Sequence, residues 1–447
     1  MTLPELLPSL RSSLPPRLDP DIWPATAHEG PHGDILVGGV ALSTIAEDHG
    51  TPTYVLDEAD IRQRCREYRA AFAEAEVAYA AKALLCRAVA RWVQEEGLAL
   101  DVCSSGEIAV AAAAGFPAAR MVLHGNAKTP QDLHAALDYH VGRIVIDSVG
   151  EIAQLAATVN ERQRVLLRVT PGVDGETHPA LTTATEDQKF GLSLTSGAAA
   201  DAARRVLEQP KLELVGVHCH LGSQISRFHG YEEVVKRLVA FIAWLRDEHH
   251  TTLDQIDIGG GHAVPYVSGD NCFATEAFGA RIRGVLHYEC MRHHLPVPRI
   301  TVEPGRAVVA RAGVTLYRVI AVKRTAGGQR LVAVDGGMSD NPRPALYGAR
   351  YTARLIGRPT TADLELTTVV GRHCEAGDML ARDVSLPVDT HPGDLLAVPC
   401  SGAYHHSLAS NYNLVGRPPM VVVRDGTVRT IIRRETIDDL LAREVGV

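Results

Sequence analysis

The segment Val77-Ala78-Tyr79-Ala80-Ala81-Lys82-Ala83-Leu84 joins a strand-like run to a helical pattern, and a single lysine stands at the junction. Apolar residues flank Lys82 on both sides, so desolvation is expected to lower the pKa of its amine. Such a lysine can act as a nucleophile that forms a Schiff base with a carbonyl compound. The alternative is an ordinary lysine that extends from a strand end into water.

Strand-like and helical patterns alternate outward from this segment. Strand-like runs lie at residues 77–80, 98–102, 121–124, 143–147, 165–169, 214–219, 255–258 and 300–303. Helical patterns lie between most of them, at residues 83–96, 105–114, 130–137, 149–159, 196–207, 231–248 and 274–291. This alternation of eight strands with helices predicts an α/β fold, a (β/α)8 TIM-like barrel. A doubly wound parallel sheet is the competing architecture on the pattern alone.

The pattern changes after about residue 310. Short alternating runs, separated by Gly, Pro and Asp, lie at residues 314–322, 330–334, 366–370, 394–399, 420–423 and 427–432, and a helical pattern closes the chain at 437–444. These runs predict an all-β, barrel-like C-terminal domain. We therefore expect three parts: an N-terminal arm at 1–50, the barrel at 51–308 and the β domain at 309–447. The strand near Ile35 is expected to pair into the β domain.

Composition excludes several classes of protein. The chain has 447 residues, of which 46% are hydrophobic and 22% charged, as in a globular protein with a large core. A formal net charge of −8 argues against a nucleic-acid or anionic-membrane partner. No apolar run approaches the length of a membrane span, and the N-terminus lacks a signal pattern, so we expect a cytoplasmic protein. The eight cysteines include no CxxC pair and are expected to be mostly reduced.

Polar residues collect where the predicted barrel strands end, which is where such barrels place their chemistry. They are Lys82 after the first strand, His124 at the third, Arg168 at the fifth, His218 and His220 at the sixth, the glycines at 259–261 after the seventh, and Glu303 and Arg306 at the eighth.

The glycines at 259–261 let backbone amides approach an anion closely, and Arg306 can add a forked charged contact, as in a phosphate site. His218 and His220 share a strand face and could bind zinc, but no Asp, Glu or Cys stands nearby at ligand spacing, so no metal is expected. A lysine imine, a phosphate site and an acid together suggest pyridoxal 5'-phosphate.

A family resemblance rests on motifs spread along nearly the whole chain. They are Tyr79-Ala-Ala-Lys82, His124-Gly-Asn, Asp187-Gln-Lys-Phe190-Gly, His218-Cys-His-Leu-Gly-Ser-Gln224, the glycines at 259–261, Glu303-Pro-Gly-Arg306, Asp335-Gly-Gly-Met-Ser-Asp-Asn-Pro-Arg-Pro344, His373-Cys-Glu375, Gly402-Ala-Tyr404 and Ser410-Asn-Tyr-Asn413. In this order they resemble the fold-type III pyridoxal-phosphate decarboxylases, and among them the diaminopimelate decarboxylases.

The resemblance implies a role for each matching position. Lys82 would form the imine, His220 would stack on the pyridine ring and Glu303 would pair with the ring nitrogen. The residues implied around the phosphate are Ser223, Gly260, Gly261, Arg306 and Tyr404. Those implied around the substrate are Arg306, Arg343, Tyr347, Glu375 and Tyr404. Cys374 would protonate the carbanion that remains after carbon dioxide leaves.

The resemblance also implies a homodimer with shared active sites, because Cys374 and Glu375 would come from the partner subunit. Arg343, between two prolines, could hold the distal carboxylate of diaminopimelate, and Glu375 the distal ammonium. Ornithine offers only the cation, so Arg343 favours diaminopimelate over ornithine. The alternative for Arg343 is a solvated loop arginine.

The implied reaction converts meso-2,6-diaminopimelate to L-lysine and carbon dioxide, the last step of lysine biosynthesis. A paralogue acting on an ornithine-like, arginine-like or secondary-metabolite amino acid is the nearest alternative. A non-catalytic binding protein would have no use for Lys82, His220, Glu303 and Cys374 together. Cys374-Glu375 and Pro342-Arg343-Pro344 also disfavour an alanine racemase-like enzyme.

Three positions depart from the family pattern. Pro179 stands where close relatives carry Glu, Ala127 replaces an asparagine, and Ala376 replaces a serine. None of these departures removes a catalytic role, but the lost hydrogen-bonding groups leave a diverged substrate as an open alternative.

Overall fold

The computed structural model describes residues 18–173 and 188–446. Its strands, numbered in chain order, are β1 His28–Glu29, β2 Ile35–Val37, β3 Val40–Ala41, β4 Thr53–Asp57, β5 Glu76–Ala80, β6 Ala99–Val102, β7 Met121–Leu123, β8 Arg143–Ile146, β9 Gln163–Thr170, β10 Leu192–Ser193, β11 Leu212–His218, β12 Gln255–Asp257, β13 Arg299–Val302, β14 Gly313–Arg324, β15 Arg330–Val334, β16 Arg354–Ile356, β17 Leu364–Val370, β18 Met379–Pro387, β19 Leu395–Pro399, β20 Met420–Arg424 and β21 Thr427–Ile432. The α-helices are α1 Leu42–His49, α2 Glu58–Ala71, α3 Arg87–Glu95, α4 Ser105–Ala113, α5 Pro130–Asp138, α6 Val149–Thr158, α7 Ala198–Leu207, α8 His229–His249, α9 Thr275–Arg292, α10 Arg306–Val309, α11 Arg343–Tyr347 and α12 Ile437–Leu441.

Eight parallel strands close into a barrel. Each strand pairs with the next in the order β5, β6, β7, β8, β9, β11, β12 and β13, and β13 pairs back with β5. Closure confirms the predicted (β/α)8 barrel and shows that the doubly wound sheet is wrong. Every residue of β6 and β8 is buried, and apart from Asp101 and Arg143 the residues of these strands are apolar.

Short polar side chains begin the helices that follow three of the barrel strands. Ser104 accepts a hydrogen bond from the Glu107 amide, and Ser148 accepts one from the Glu151 amide. Thr129 forms a reciprocal capping box with Asp132. Each cap satisfies backbone donors of the first helical turn, so it fixes where the strand-end loop gives way to the helix.

The β domain is built around a sheet with the order β18-β17-β15-β14-β4-β20-β21, and β19 pairs with β14 and β16. The early strand that joins this sheet is β4, which pairs with β14 and β20. The expectation that the strand at Ile35 would do so is wrong, because β2 pairs only with β1 and β3 among the described strands. The three domain ranges remain a prediction.

Ion pairs to a buried carboxylate join α2 to the β domain. The Asp57 side chain accepts hydrogen bonds from the Ala59 and Asp60 amides at 2.9 and 3.2 Å and caps α2. The next residue, Glu58, is buried and pairs with the half-exposed Arg424 at 2.7 Å and Arg429 at 3.1 Å. These contacts hold the start of α2 against β20 and β21.

Among the described helices, none combines the length and the apolar content that a membrane crossing requires.

Candidate active site

A cavity of about 620 Å³ opens at the carboxyl ends of the barrel strands, where loops of the β domain cover it. The predicted site residues in its wall are Lys82, His220, Ser223, Gly261, Glu303, Arg306, Arg343, Tyr347 and Tyr404. His124, His218 and Arg168, the other polar residues predicted at strand ends, line it as well. The structure thus brings nearly all of the predicted site residues together; Gly260, Cys374 and Glu375 lie outside this wall, and the individual roles remain predictions.

Lys82 lies in a 3-10 turn, Ala81–Ala83, directly after β5. Its side chain is exposed to the cavity, and the Tyr404 amide donates a hydrogen bond to the Ala83 carbonyl at 2.8 Å. Desolvation alone would lower the pKa of Lys82. Electrostatic interaction with nearby acidic groups, chiefly Tyr404 and Asp101, instead raises this pKa above its ordinary value. The expected lowering is therefore wrong for the protein without cofactor, because nearby acidic groups favour the ammonium.

The Glu303 carboxylate lies between two buried imidazoles. Its Oε1 is 2.9 Å from His124 Nε2, and its Oε2 is 3.4 Å from His218 Nε2. Burial would raise the pKa of Glu303, but the two histidines hold it well below its usual range. Burial also lowers the pKa of His218 to about 4, so His218 faces the carboxylate as a neutral imidazole. An ionised carboxylate here can pair with a protonated ring nitrogen.

His220 and the glycine triplet form one unit. The Gly260 amide donates a hydrogen bond to His220 Nδ1 at 3.1 Å, and the Gly260 carbonyl accepts one from Tyr231 at 2.8 Å. A Cβ on Gly260 would lie 1.9 Å from the Glu303 carbonyl oxygen, so only glycine fits. Burial, with Lys82 nearby, lowers the pKa of His220 well below its usual value and leaves the neutral ring suited to stacking.

Arg306 is buried in the cavity wall and is tied to neutral partners. Its Nη1 donates to the Tyr266 hydroxyl at 2.6 Å, and its Nη2 donates to Ser223 Oγ at 3.0 Å. Its Cζ lies 4.7 Å from the centre of the Tyr404 ring. Its Nε has no hydrogen-bond partner among the described residues. A buried guanidinium with a spare donor is suited to bind an anion such as phosphate.

Arg343 and Tyr347, at the two ends of α11, reach the same cavity from the β domain. Arg343 is buried, and its Nε also lacks a partner among the described residues. The alternative reading of Arg343 as a solvated loop arginine is therefore wrong.

Cys374 and Glu375 are exposed residues of the β domain. Their loop is held in a defined conformation: Asn413 Oδ1 accepts from the Cys374 amide at 3.1 Å, and Asp378 accepts from the His373 amide at 2.8 Å. The Tyr412 hydroxyl donates to Glu375 at 3.5 Å. These two residues are thus displayed on the surface of the subunit that carries them.

The departures from the family pattern fall in different places. Ala127 lies in the cavity wall, beside the buried Lys128, whose ammonium donates to the Gly125 carbonyl and to Glu151 at 2.8 and 2.6 Å. Ala376 is exposed beside Glu375. Pro179, and Asp187 of the Asp187-Gln-Lys motif, lie outside the described residues.

Sequence reasoning missed several residues that shape the cavity. Asp101, near the end of β6, lies 3.7 Å from His124 Nε2. An acidic residue in an otherwise apolar strand is the sequence feature that could have identified it. Asp257, at the end of β12, accepts from the Gly259 amide at 2.8 Å and carried the same signal. Tyr266 acts through a tertiary contact with Arg306 that leaves no local pattern.

The residues in this cavity fit pyridoxal phosphate. The Gly260 backbone packs so closely against the Glu303 carbonyl that only glycine fits there. Arg306 and Ser223 line the cavity together, where a guanidinium and a hydroxyl suit a phosphate, and Glu303 offers a carboxylate to the ring nitrogen. Lys82 would hold the aldehyde carbon, since its amine lies in the same cavity.

Comparisons with known proteins agree with this site. Residues 58–310 match the family model described as the pyridoxal-binding domain of pyridoxal-dependent decarboxylases. Diaminopimelate decarboxylase of Actinosynnema pretiosum subsp. auranticum is 58% identical over 447 residues, with all of both chains covered. The Mycobacterium tuberculosis enzyme of that name is 46% identical, covering 96% of this chain and 98% of its own. A crystal structure of diaminopimelate decarboxylase from M. jannaschii in co-complex with L-lysine has a TM-score of 0.88 at 31% identity, covering 94% of this chain and 98% of that chain.

Proposed function

Because this chain belongs to the pyridoxal-dependent decarboxylases, and within them to the diaminopimelate decarboxylases, we propose that it converts meso-2,6-diaminopimelate to L-lysine and carbon dioxide. The observation that carries the proposal is the shared cavity, which joins an amine at Lys82 to a carboxylate at Glu303 and to two buried guanidiniums, Arg306 and Arg343. One arginine serves the cofactor phosphate, and the other serves a second anion on the substrate. The reaction is the last step of lysine biosynthesis.

Bound pyridoxal phosphate supplies a protonated pyridine ring, which takes up the electron pair left on the substrate when carbon dioxide departs. The chain's own residues prepare this step. Glu303 keeps a proton on the ring nitrogen, and His124 and His218 keep Glu303 ionised. His220 presents a neutral ring to the cofactor face, held by the Gly260 amide. Lys82 would hold the cofactor through its amine, which lies in the same cavity.

Arg343 supports diaminopimelate as the substrate. Among amino acids with two amines, diaminopimelate keeps a carboxylate at the end that does not react. Arg343, a buried arginine in the cavity wall, offers that carboxylate a charge-assisted hydrogen bond. Ornithine would leave the guanidinium buried without an anion, which costs free energy. Tyr347 and Tyr404 complete the same wall.

The active site is completed in a homodimer in this proposal. Cys374 and Glu375 of one subunit enter the cavity of the other, where Cys374 protonates the carbanion and Glu375 binds the distal ammonium. Supporting this, Leu414, next to the Asn413 that holds the Cys374 amide, is a large apolar side chain that is 74% exposed. A large apolar side chain exposed at such a place suits an interface.

The direct test of function is to incubate folded, cofactor-loaded protein with meso-diaminopimelate and to quantify L-lysine and carbon dioxide. We expect equal amounts of both, and an absence of turnover would refute the proposal. Lys82→Ala should abolish the visible absorbance of the bound cofactor, whereas unchanged absorbance would contradict the role of Lys82.

Subunit complementation tests the shared site. Lys82→Ala and Cys374→Ala subunits, each inactive alone, are mixed at equal amounts and allowed to exchange. Random reassociation gives heterodimers with one intact site, so activity should recover to about one quarter of wild type. Continued inactivity, with exchange verified, would contradict the shared site.

We further propose a cytoplasmic location, in keeping with small-molecule biosynthesis, which cell fractionation would test.

A further inference from the structure

Arg343 is a buried cation that forms no ion pair with any carboxylate in residues 18–173 and 188–446. It is 4% exposed, and no carboxylate of the described residues lies within 4.0 Å of its side-chain nitrogens. The neighbours that surround it are aromatic instead. Since a guanidinium recognises a carboxylate through two parallel N–H bonds, its orientation matters as much as its charge.

Tyr351 fixes one edge of this guanidinium. Arg343 Nη1 donates a hydrogen bond to the Tyr351 hydroxyl. Tyr351 is 1% exposed, and its ring packs edge-on against His405 with centroids 5.3 Å apart at 85°. Tyr351 does not line the cavity itself. It is therefore placed behind Arg343, where it cannot move freely and does not touch the ligand.

Tyr266 supports the face of the same guanidinium. Arg343 Cζ lies 4.5 Å from the centre of the Tyr266 ring, a cation–π contact. The Tyr266 hydroxyl is used elsewhere, since it accepts from Arg306 at 2.6 Å. The Tyr266 and Tyr351 rings pack edge-on, with centroids 5.1 Å apart. The Tyr351 hydroxyl thus acts on Arg343, and the Tyr266 hydroxyl acts on Arg306.

We propose that Tyr351 is a positioning residue for substrate specificity, whose hydroxyl holds Arg343 so that its guanidinium, in the cavity wall, meets the distal carboxylate of the substrate. This inference rests on the proposed function. Without the Tyr351 hydroxyl, Arg343 keeps its charge and its contact with the Tyr266 ring. Its Nη1 loses the hydrogen bond that fixes the orientation of the guanidinium. Affinity for a carboxylate falls, and affinity for the rest of the ligand does not.

Two ligands separate these effects. L-lysine keeps the carboxylate that diaminopimelate carries at its non-reacting end, whereas cadaverine has the same carbon chain and two amines but no carboxylate. The ratio of their dissociation constants therefore isolates the contact with Arg343 from binding of the amines and the chain.

The experiment measures dissociation constants of both ligands for cofactor-loaded wild type, Tyr351→Phe and Tyr266→Phe, from the change in cofactor absorbance. For Tyr351→Phe we expect L-lysine to bind about tenfold more weakly, as for loss of one hydrogen bond to a charged group, with cadaverine unchanged. The KM for meso-diaminopimelate should rise by a similar factor while kcat is retained. Tyr266→Phe is the matched variant: it loses a hydroxyl from the same cluster and should keep the wild-type ratio.

A Tyr351→Phe protein that binds both ligands as wild type does, or weakens both equally, would overturn the proposal. Tyr288→Phe, an exposed tyrosine on the outer barrel helix α9, controls for the substitution itself. If Tyr351→Phe fails to fold, Arg343→Met replaces it and should abolish the preference for L-lysine over cadaverine; a surviving preference would also overturn the proposal. Failure of the proposed function is distinct, since it shows as wild-type protein that releases no carbon dioxide from meso-diaminopimelate.

Discussion

Asn413 offers a test of how the chain presents Cys374. Its side-chain oxygen accepts a hydrogen bond from the Cys374 amide at 3.1 Å and lies 3.2 Å from His373 Nδ1. Its backbone is left-handed, with φ of 52°, a conformation that asparagine tolerates better than alanine does. The informative substitution is therefore Asn413→Gly, which removes both contacts and keeps the backbone free to adopt that conformation.

The structure sets the size of the effect. Two hydrogen bonds at roughly 0.5–1.5 kcal/mol each hold the loop, so their loss raises the free energy of the productive geometry by about 1–3 kcal/mol. The loop does not collapse, because Asp378 and Ser339 still hold His373 at 2.8 Å each. We expect kcat to fall roughly tenfold and KM to rise, since the same loop carries Glu375, with a small fall in the melting temperature.

The assay is steady-state carbon dioxide release from meso-diaminopimelate. Asn413→Asp, which keeps the acceptor oxygen, should retain most of the activity. Asp425→Gly is the matched backbone control, since Asp425 is also left-handed, with φ of 49°, and lies in the turn between β20 and β21. Wild-type kcat in Asn413→Gly, or equal damage in Asn413→Asp, would refute the reasoning.

Three further perturbations test other parts of the structure. Gly260→Ala places a Cβ 1.9 Å from the Glu303 carbonyl oxygen and should abolish cofactor absorbance. Gly284→Ala, on α9, meets no atom within 4 Å and should be neutral or stabilise the protein by about 0.5–1 kcal/mol. Equal behaviour of the two variants would contradict the close-approach argument. Burial raises the pKa of Asp340 to about 7. The folded state therefore binds this proton more tightly than the unfolded chain does, and the contribution of Asp340 to stability declines as pH rises between about 4 and 7. Asp340→Asn should flatten that slope in denaturant unfolding, and an unchanged slope would contradict the assignment. Glu58→Gln removes the buried charge with which Arg62, Arg424 and Arg429 pair. It should lower the free energy of unfolding by about 1–3 kcal/mol without changing KM. No loss of stability would show that these ion pairs between α2 and the β domain are unimportant.

The barrel was predictable because its strands are buried on both faces. In β8, the residues after Arg143, Ile144–Ile146, are all apolar, and the short length and flanking turn residues distinguish this run from a helix. The ends of elements were less predictable. The helix expected from Ala83 begins at Arg87, because Leu84 adopts an extended conformation after the 3-10 turn that carries Lys82.

Strand partners depend on contacts that local sequence does not contain. The choice of β4 over the strand at Ile35 was missed because both are short apolar runs with similar patterns. The strand β18, Met379–Pro387, was also missed. Its pairing with β17 shifts register twice, and such irregularities break the strict alternation by which a strand is recognised.

The candidate site was predictable to the extent that strand ends determine it. Lys82, His220 and Glu303 follow barrel strands, so the fold places them in one cavity. Tyr351 and Asn413 were not given roles, because what they do arises from the partner side chains Arg343 and Cys374, which approach only in the folded β domain.

The central claim is that a buried arginine selects a substrate with a second carboxylate. It is tested most directly by offering folded, cofactor-loaded protein an equimolar mixture of meso-diaminopimelate, ornithine, arginine and lysine and following the loss of each. We predict that meso-diaminopimelate is consumed first and appears as L-lysine with one carbon dioxide per molecule. Faster consumption of ornithine, arginine or lysine would contradict it.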